Sequence, residues 1–308
     1  MSRRQRVMGL VLALVALLCL PLWGSRYLLD LSTEVAIFAL FALSLNLLVG
    51  YAGDVSFGHA AYFAIGAYAN AILLTSYEWP LALSLPAAVL LSATAALFIG
   101  YFCVRLSAIY FAMLTLAFAM LVWSIAFKWR GLTGGDDGFI GVRLPVFLEH
   151  RTAFFYFTLA VVLLSVVLLR RVCRSAFGHT LLALRENRLR AEFVGIDSRR
   201  VRLLAFVVAG GFAGVAGGLF ALYNRGVFVE SAFWTESARV LIMVLLGGMY
   251  SFFGPALGAA VLYVLEALIN QYTEYWPAVL GLILLGILLF LPEGLVSLGR
   301  RWRTPGDD

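Results

Sequence analysis

The chain has 308 residues, 63% of them hydrophobic and 13% charged, with a net charge of +6 and a mean hydropathy of +0.95. A soluble globular domain carries about twice that charged fraction, so the composition excludes one and describes a polytopic membrane protein. The positive charge is almost all arginine, with Lys128 the only lysine, and it clusters between apolar blocks, so it is no argument for nucleic acid.

A membrane span needs about 20 apolar residues, with a lower limit near 17. On that ruler about ten spans are expected, with eight to ten as the range. They are 7–23, 35–50, 58–76, 81–103, 107–127, 153–169, 203–223, 238–249, 254–269 and 276–291. The first follows Arg3, Arg4 and Arg6, and it has the outline of a signal peptide as well as of a helix. Leu18 before Cys19 is too large for a lipoprotein cleavage site and no Ala-x-Ala pattern follows, so an uncleaved helix is expected. Cys19, Cys103 and Cys173 have no paired spacing, and neither a disulfide framework nor a metal site follows from them.

Two stretches break the helical pattern alike, one from Gly50 through Gly53, Asp54, Ser56, Gly58 and His59, the other from Gly247 through Gly248 and Ser251 to Gly254. Each has Gly and Tyr, then Ser-Phe, then Gly and a run of small residues, which suggests a short parallel repeat. Broken helices leave backbone groups that hydrocarbon cannot satisfy, at several kcal/mol each, unless protein or a water-filled path covers them. Such breaks in corresponding halves point to a translocation path; tight packing through small residues is the competing explanation, and it suits Gly210 to Gly218 better. His59 is read as a hydrogen-bonded packing residue. Glu34 and Glu266 are ionisable groups in or near spans that could carry a proton. No dense chain of intramembrane charges of the kind that proton coupling needs is visible.

Between Lys128 and Thr152 lies a turn-rich loop with Thr133, Gly134, Gly135 and Gly138, in which no catalytic arrangement is visible. Trp129, Trp234 and Trp276 fall near expected outer ends of spans, where an aromatic belt belongs.

The long polar segment from Arg170 to Arg202 holds nine arginines against Glu186, Glu192 and Asp197, which places it on the cytoplasmic side. With six spans before it and four after, the N-terminus and the arginines at 300, 301 and 303 fall on that side too. Its middle alternates apolar and charged positions at helical spacing, so two short surface helices are expected, with Asn187 capping the second and Gly195 ending it. Leu181 and Leu184 mark one apolar face; Leu189, Phe193 and Ile196 mark another. A folded loop with apolar side chains suits docking to a soluble partner, and equally a helix pair lying on anionic lipid.

Four stretches together resemble a known family: 46–68 around the first break, 110–118 with Thr115, 133–138 with its glycines, and 185–197 in the polar loop. They are similar to the branched-chain amino acid ABC importer permeases, the LivH/LivM family, and most of all to the LivM subunit. Gly247, Gly248, Gly254, Pro255 and the segment 291–295 fit the same pattern. The resemblance implies a single transmembrane permease domain over 1–308, with residues 171–202 as a cytoplasmic coupling loop inside it. It implies a multi-pass protein of the bacterial inner membrane that pairs with a LivH-like second permease, two LivG/LivF-like ATPase subunits and a periplasmic or lipid-anchored binding protein. Arg185, Glu186, Asn187, Leu189, Glu192, Phe193 and Gly195 would couple to the ATPases, which favours partner docking over lipid. Gly53, Ser56, Gly58, His59, Thr115, Gly248 and Gly254 would line or gate the path, where helix-end dipoles could help a zwitterion. ATP and Mg would sit on the partners, because no GxxxxGK[ST] motif occurs in this chain and no cofactor of its own is expected. The cargo would be Leu, Ile or Val; urea, short amides or another small solute fit the same architecture, and a stand-alone secondary transporter is the reading from another class.

Overall fold

The computed structural model describes residues 25–270 and isolated positions outside that range (21, 278–279, 281–282, 285–286, 290 and 294–297). The expected spans at 7–23 and 276–291, with Cys19 and Trp276, therefore lie outside or almost outside the described residues. Among the described residues eight main helices run alternately in opposite directions: α1 (Arg26–Asn46), α2 (His59–Thr75), α3 (Leu81–Cys103), α4 (Ala108–Lys128), α6 (Arg151–Arg174), α9 (Ser198–Tyr223), α10 (Trp234–Gly247) and α11 (Gly254–Ile269). Short helices α5 (Arg130–Thr133), α7 (Ala176–Glu186) and α8 (Arg188–Phe193) lie in the connections. Among the described residues five helices are long and apolar enough to cross a membrane, namely α1 with its extension to Ala52, α3, α4 from Ile109, α6 and α9. This is a helical, polytopic membrane fold.

The alternation gives the molecule two ends. The arginine end gathers the C-termini of α1, α3, α6 and α10, the starts of α2, α4, α9 and α11, and the loop helices α7 and α8. At the opposite end Phe139–Ile140 (β1) and Gly226–Val227 (β2) pair antiparallel, Phe139 against Val227 and Ile140 against Gly226. This small ribbon is the one departure from an all-helical reading among the described residues, and we call that end the ribbon end.

Burial separates the helices into centre and rim. In α1 78% of the span window is buried inside the protein and in α9 61%, against 28% in α3 and 22% in α4. An apolar helix covered all round is a core helix, while one covered on a narrow stripe offers the rest of its surface to lipid. The central α9 meets α2 and α3 through small residues: a Cβ on Gly217 would overlap the Phe63 carbonyl oxygen, and one on Gly210 would overlap Ala96 Cβ. Gly210 to Gly218 thus serve packing, since with no hydrophobic drive in lipid, close backbone approach supplies the contact energy.

The first described helix begins nine residues earlier than its apolar run suggests. Ser25 accepts from the Leu28 N–H as N-cap, and Asp30 pairs with Arg151 at the ribbon end. Apolarity marks only the length inside hydrocarbon, and polar first turns continue a helix past it.

Candidate functional site

At the arginine end α1 does not stop cleanly. Residues Leu47–Ala52 form a π-helical turn, Gly53 takes φ +78°, and the chain crosses to α2 at His59. The second break repeats the device with Gly248 at φ +106°, between α10 and α11. Both conformations lie in the left-handed region that side chains disfavour, which explains glycine at these two positions.

The two breaks touch. The Asn46 amide reaches the Ser251 carbonyl at 3.5 Å, and a Cβ on Gly50 would overlap the Met249 carbonyl oxygen. Arg185 of α7 joins them: its guanidinium donates to the Gly50 carbonyl and lies over the Tyr250 ring, 4.4 Å from the centroid. Its aliphatic stem passes beside Gly53, where a Cβ would approach Cγ to 3.0 Å. One side chain of the loop thus contacts both discontinuities.

A second arginine fixes the same region from below. Arg202, in the first turns of α9, donates from two nitrogens to Asp54, at 2.6 and 2.7 Å, and from a third to the Val104 carbonyl at 2.8 Å. Both side chains are nearly buried, and the guanidinium faces Phe111. Charges removed from water in this way need full hydrogen bonding, and here the fork satisfies it.

Ser56, His59 and Thr115 are fully buried. Ser56 Oγ accepts from the Gly58 N–H, Thr115 Oγ1 accepts from the Phe57 N–H at 3.2 Å, and Gly58 is seated against the Thr115 carbonyl. His59 Nε2 shares a hydrogen bond with Ser44 Oγ at 2.8 Å, and its ring stacks on Phe41. Gly254 abuts the Gly248 carbonyl oxygen. These residues surround the breaks and bind them into the fold.

The loop helices present two faces, as their periodicity predicts. Leu181 and Leu184 turn into the body, whereas Leu189 and Phe193 are 68% and 89% exposed; Ile196, expected on that second face, is half-buried, and Val194 is 84% exposed in its stead. Asn187 Oδ1 caps α8 by accepting from the Arg190 N–H at 3.0 Å, and Gly195 at φ +92° ends it. Glu186 and Asn187 are exposed. Glu192 accepts from the Ser198 hydroxyl and from Arg188, which hold its carboxyl below the ordinary range, so this pinning of α8 to the start of α9 persists until the medium turns acidic.

At the ribbon end Thr133 bonds the Ala126 and Trp129 carbonyls, at 2.5 and 2.9 Å, and accepts from the Gly135 N–H. Gly134, Gly135 and Gly138 turn the chain from α5 into β1, with Gly138 against Phe228. This group is remote from the breaks. The same end holds a cluster that the apolar runs did not single out: Arg239 of α10 pairs with Glu266 of α11 and lies 3.9 Å from Glu236, over the rings of Phe38 and Tyr263. Glu236 and Arg239 are spaced i, i+3 at the start of a helix, which by itself reads as a surface pair.

No group of His, Cys, Asp and Glu among the described residues could hold a metal ion. A helical membrane domain with paired breaks tied to a folded basic loop is the build of a transport subunit. The family model for "Branched-chain amino acid transport system / permease component" matches residues 27–291, and the chain belongs to that family. It is 32% identical over 320 residues to the high-affinity branched-chain amino acid transport system permease protein LivM of Escherichia coli K12, covering 94% of this chain and 75% of the relative. The LivM protein of Salmonella typhimurium is 31% identical over 318 residues, with the same coverage. The autoinducer 2 import system permease protein LsrC of Salmonella typhi is 31% identical over 179 residues, covering 56% of this chain and 50% of its own. No solved structure matches.

Proposed function

We propose that this chain is the permease subunit of an ATP-driven importer of branched-chain amino acids, forming half of the translocation path beside a LivH-like second permease. Two LivG/LivF-like ATPases dock on the arginine end, which faces the cytoplasm together with both termini. A periplasmic or lipid-anchored binding protein delivers the cargo at the ribbon end. The full chain crosses the inner membrane about ten times. The partners bind ATP and Mg; this chain contributes the path and the joint.

The observation that carries this reading is the contact of Arg185 with both breaks, on a loop whose opposite side exposes Leu189 and Phe193. A partner that seats those two side chains and then moves drags α7, and with it the Gly50 carbonyl and Tyr250. The motion is a rigid-body shift carried to the two places where the helices are already interrupted. The buried residues around the breaks then act as the gate.

The test is co-assembly with the candidate partners, reconstitution, and ATP hydrolysis with the binding protein, with and without leucine. Stimulation by the leucine-loaded binding protein supports both the importer class and the cargo. Assembly without leucine stimulation keeps the architecture and moves the cargo to urea, amides or another small solute. Gradient-driven uptake by this chain alone overturns the reading.

A further inference from the structure

The ribbon end contains a chamber of about 300 Å³ between α1, α9, α10 and α11, within the small end of the roughly 300–1,000 Å³ range of ligand pockets. Its wall carries Glu34, Glu236 and Arg239, with Glu230 and Asn224 exposed among its lining residues. Phe38, Phe63 and Phe220 form an aromatic floor, with centroids 5.3 to 5.8 Å apart. Beneath them Phe41 stacks on Phe63 and on His59, so the floor separates the chamber from the first break.

The charges do not balance. Arg239 is already engaged by Glu266 and Glu236, and Glu34 belongs to none of the ion pairs among the described residues. The Tyr263 hydroxyl, in a residue only 4% exposed, is the polar neighbour of Glu34, and Arg239 attracts the same carboxylate without closing an ion pair with it. Ionisable groups at membrane depth are retained when they serve a ligand or a pathway. Carboxylates on the wall attract an ammonium, and the aromatic floor, where the Arg239 guanidinium already lies over Phe38, offers apolar surface beside it.

We propose that this chamber is a transient binding site for a small zwitterion or amine with an apolar tail. Glu34 and Glu236 receive its ammonium, Arg239 faces its carboxylate, and the tail rests on Phe38 and Phe220. The choice of leucine as probe rests on the importer reading; the charge preference does not.

The experiment places a cysteine at the mouth, Asn224→Cys, in the permease complex without binding protein or ATP, and follows its modification by a cationic thiol reagent. Cys103 and Cys173 are buried, and a chain without the substitution sets the background. Leucine at about nine times its dissociation constant slows modification by about tenfold, since the free fraction of the site falls as the reciprocal of one plus the ratio of leucine concentration to Kd. Isocaproate, with the same tail and carboxylate but no ammonium, does not slow it, and Glu34→Gln, which has no ion pair to lose, removes the leucine effect. Equal protection by leucine and isocaproate, or none by either, overturns the chamber whatever the complex does with ATP. Protection without ATP-driven uptake keeps the chamber and sinks the importer reading instead.

Discussion

Arg202 and Arg239 both sit among helices, at opposite ends of the bundle. Arg202 meets one carboxylate with a two-pronged fork, uses its remaining nitrogen on a carbonyl, and has a ring against its face, with 6% of its side chain exposed. Arg239 meets Glu266 and Glu236, leaves Glu34 over, and borders an open chamber, with 28% of its side chain exposed. The same side chain stands in two settings, and what separates them is whether the surrounding charges are closed. A closed set fixes a joint; an unclosed set beside a cavity leaves something to be bound.

The sharpest way to break this contrast is to remove each guanidinium. Arg202→Met leaves Asp54 buried without its partner and is expected to cost about 3–5 kcal/mol, read as a fall in melting temperature of the detergent-solubilised protein, with Asp54→Asn in the same chain recovering most of it. Arg239→Met should cost about 1 kcal/mol, because the acids left behind are partly exposed at the chamber rather than sealed in the fold. Equal losses at the two positions would erase the distinction between joint and chamber.

Smaller changes sharpen the joint. Gly53→Ala forces a side chain into the left-handed region and against the Arg185 stem, with an expected loss of about 1 kcal/mol in the same melting measurement. Leu189→Asp and Phe193→Asp should move stability by less than about 0.5 kcal/mol, since both side chains are exposed. Each nevertheless abolishes co-purification of the ATPase while the chain still inserts and pairs with its second permease. Normal co-purification of both would remove the docking face.

Much of the arginine end was legible because its signals are local. Glycine with small residues marked both breaks, alternating apolar positions marked the two faces of α7 and α8, and Asn187 and Gly195 marked the limits of α8. The partner of Arg202 was not legible. It stands 148 residues away, at Asp54, and in sequence Arg202 looks like the last of nine loop arginines. At the ribbon end Glu34 and Glu266 stood out as ionisable residues near spans, but the cation between them did not. Arg239 lies three residues after Glu236 on a short helix, and its role exists only once α1 and α11 are placed beside it. Pairing across distant helices leaves no periodic trace, and a start of α1 at Arg26 is equally silent because hydropathy reports the membrane's thickness and not the helix's length.

The central claim, that the basic loop drives the breaks through Arg185, is tested most directly by the number of leucines imported per ATP hydrolysed in the reconstituted complex. The account predicts that Arg185→Ala still assembles and hydrolyses ATP, while this ratio falls by about tenfold, as for a lost coupling of roughly 1.4 kcal/mol. An unchanged ratio would contradict it.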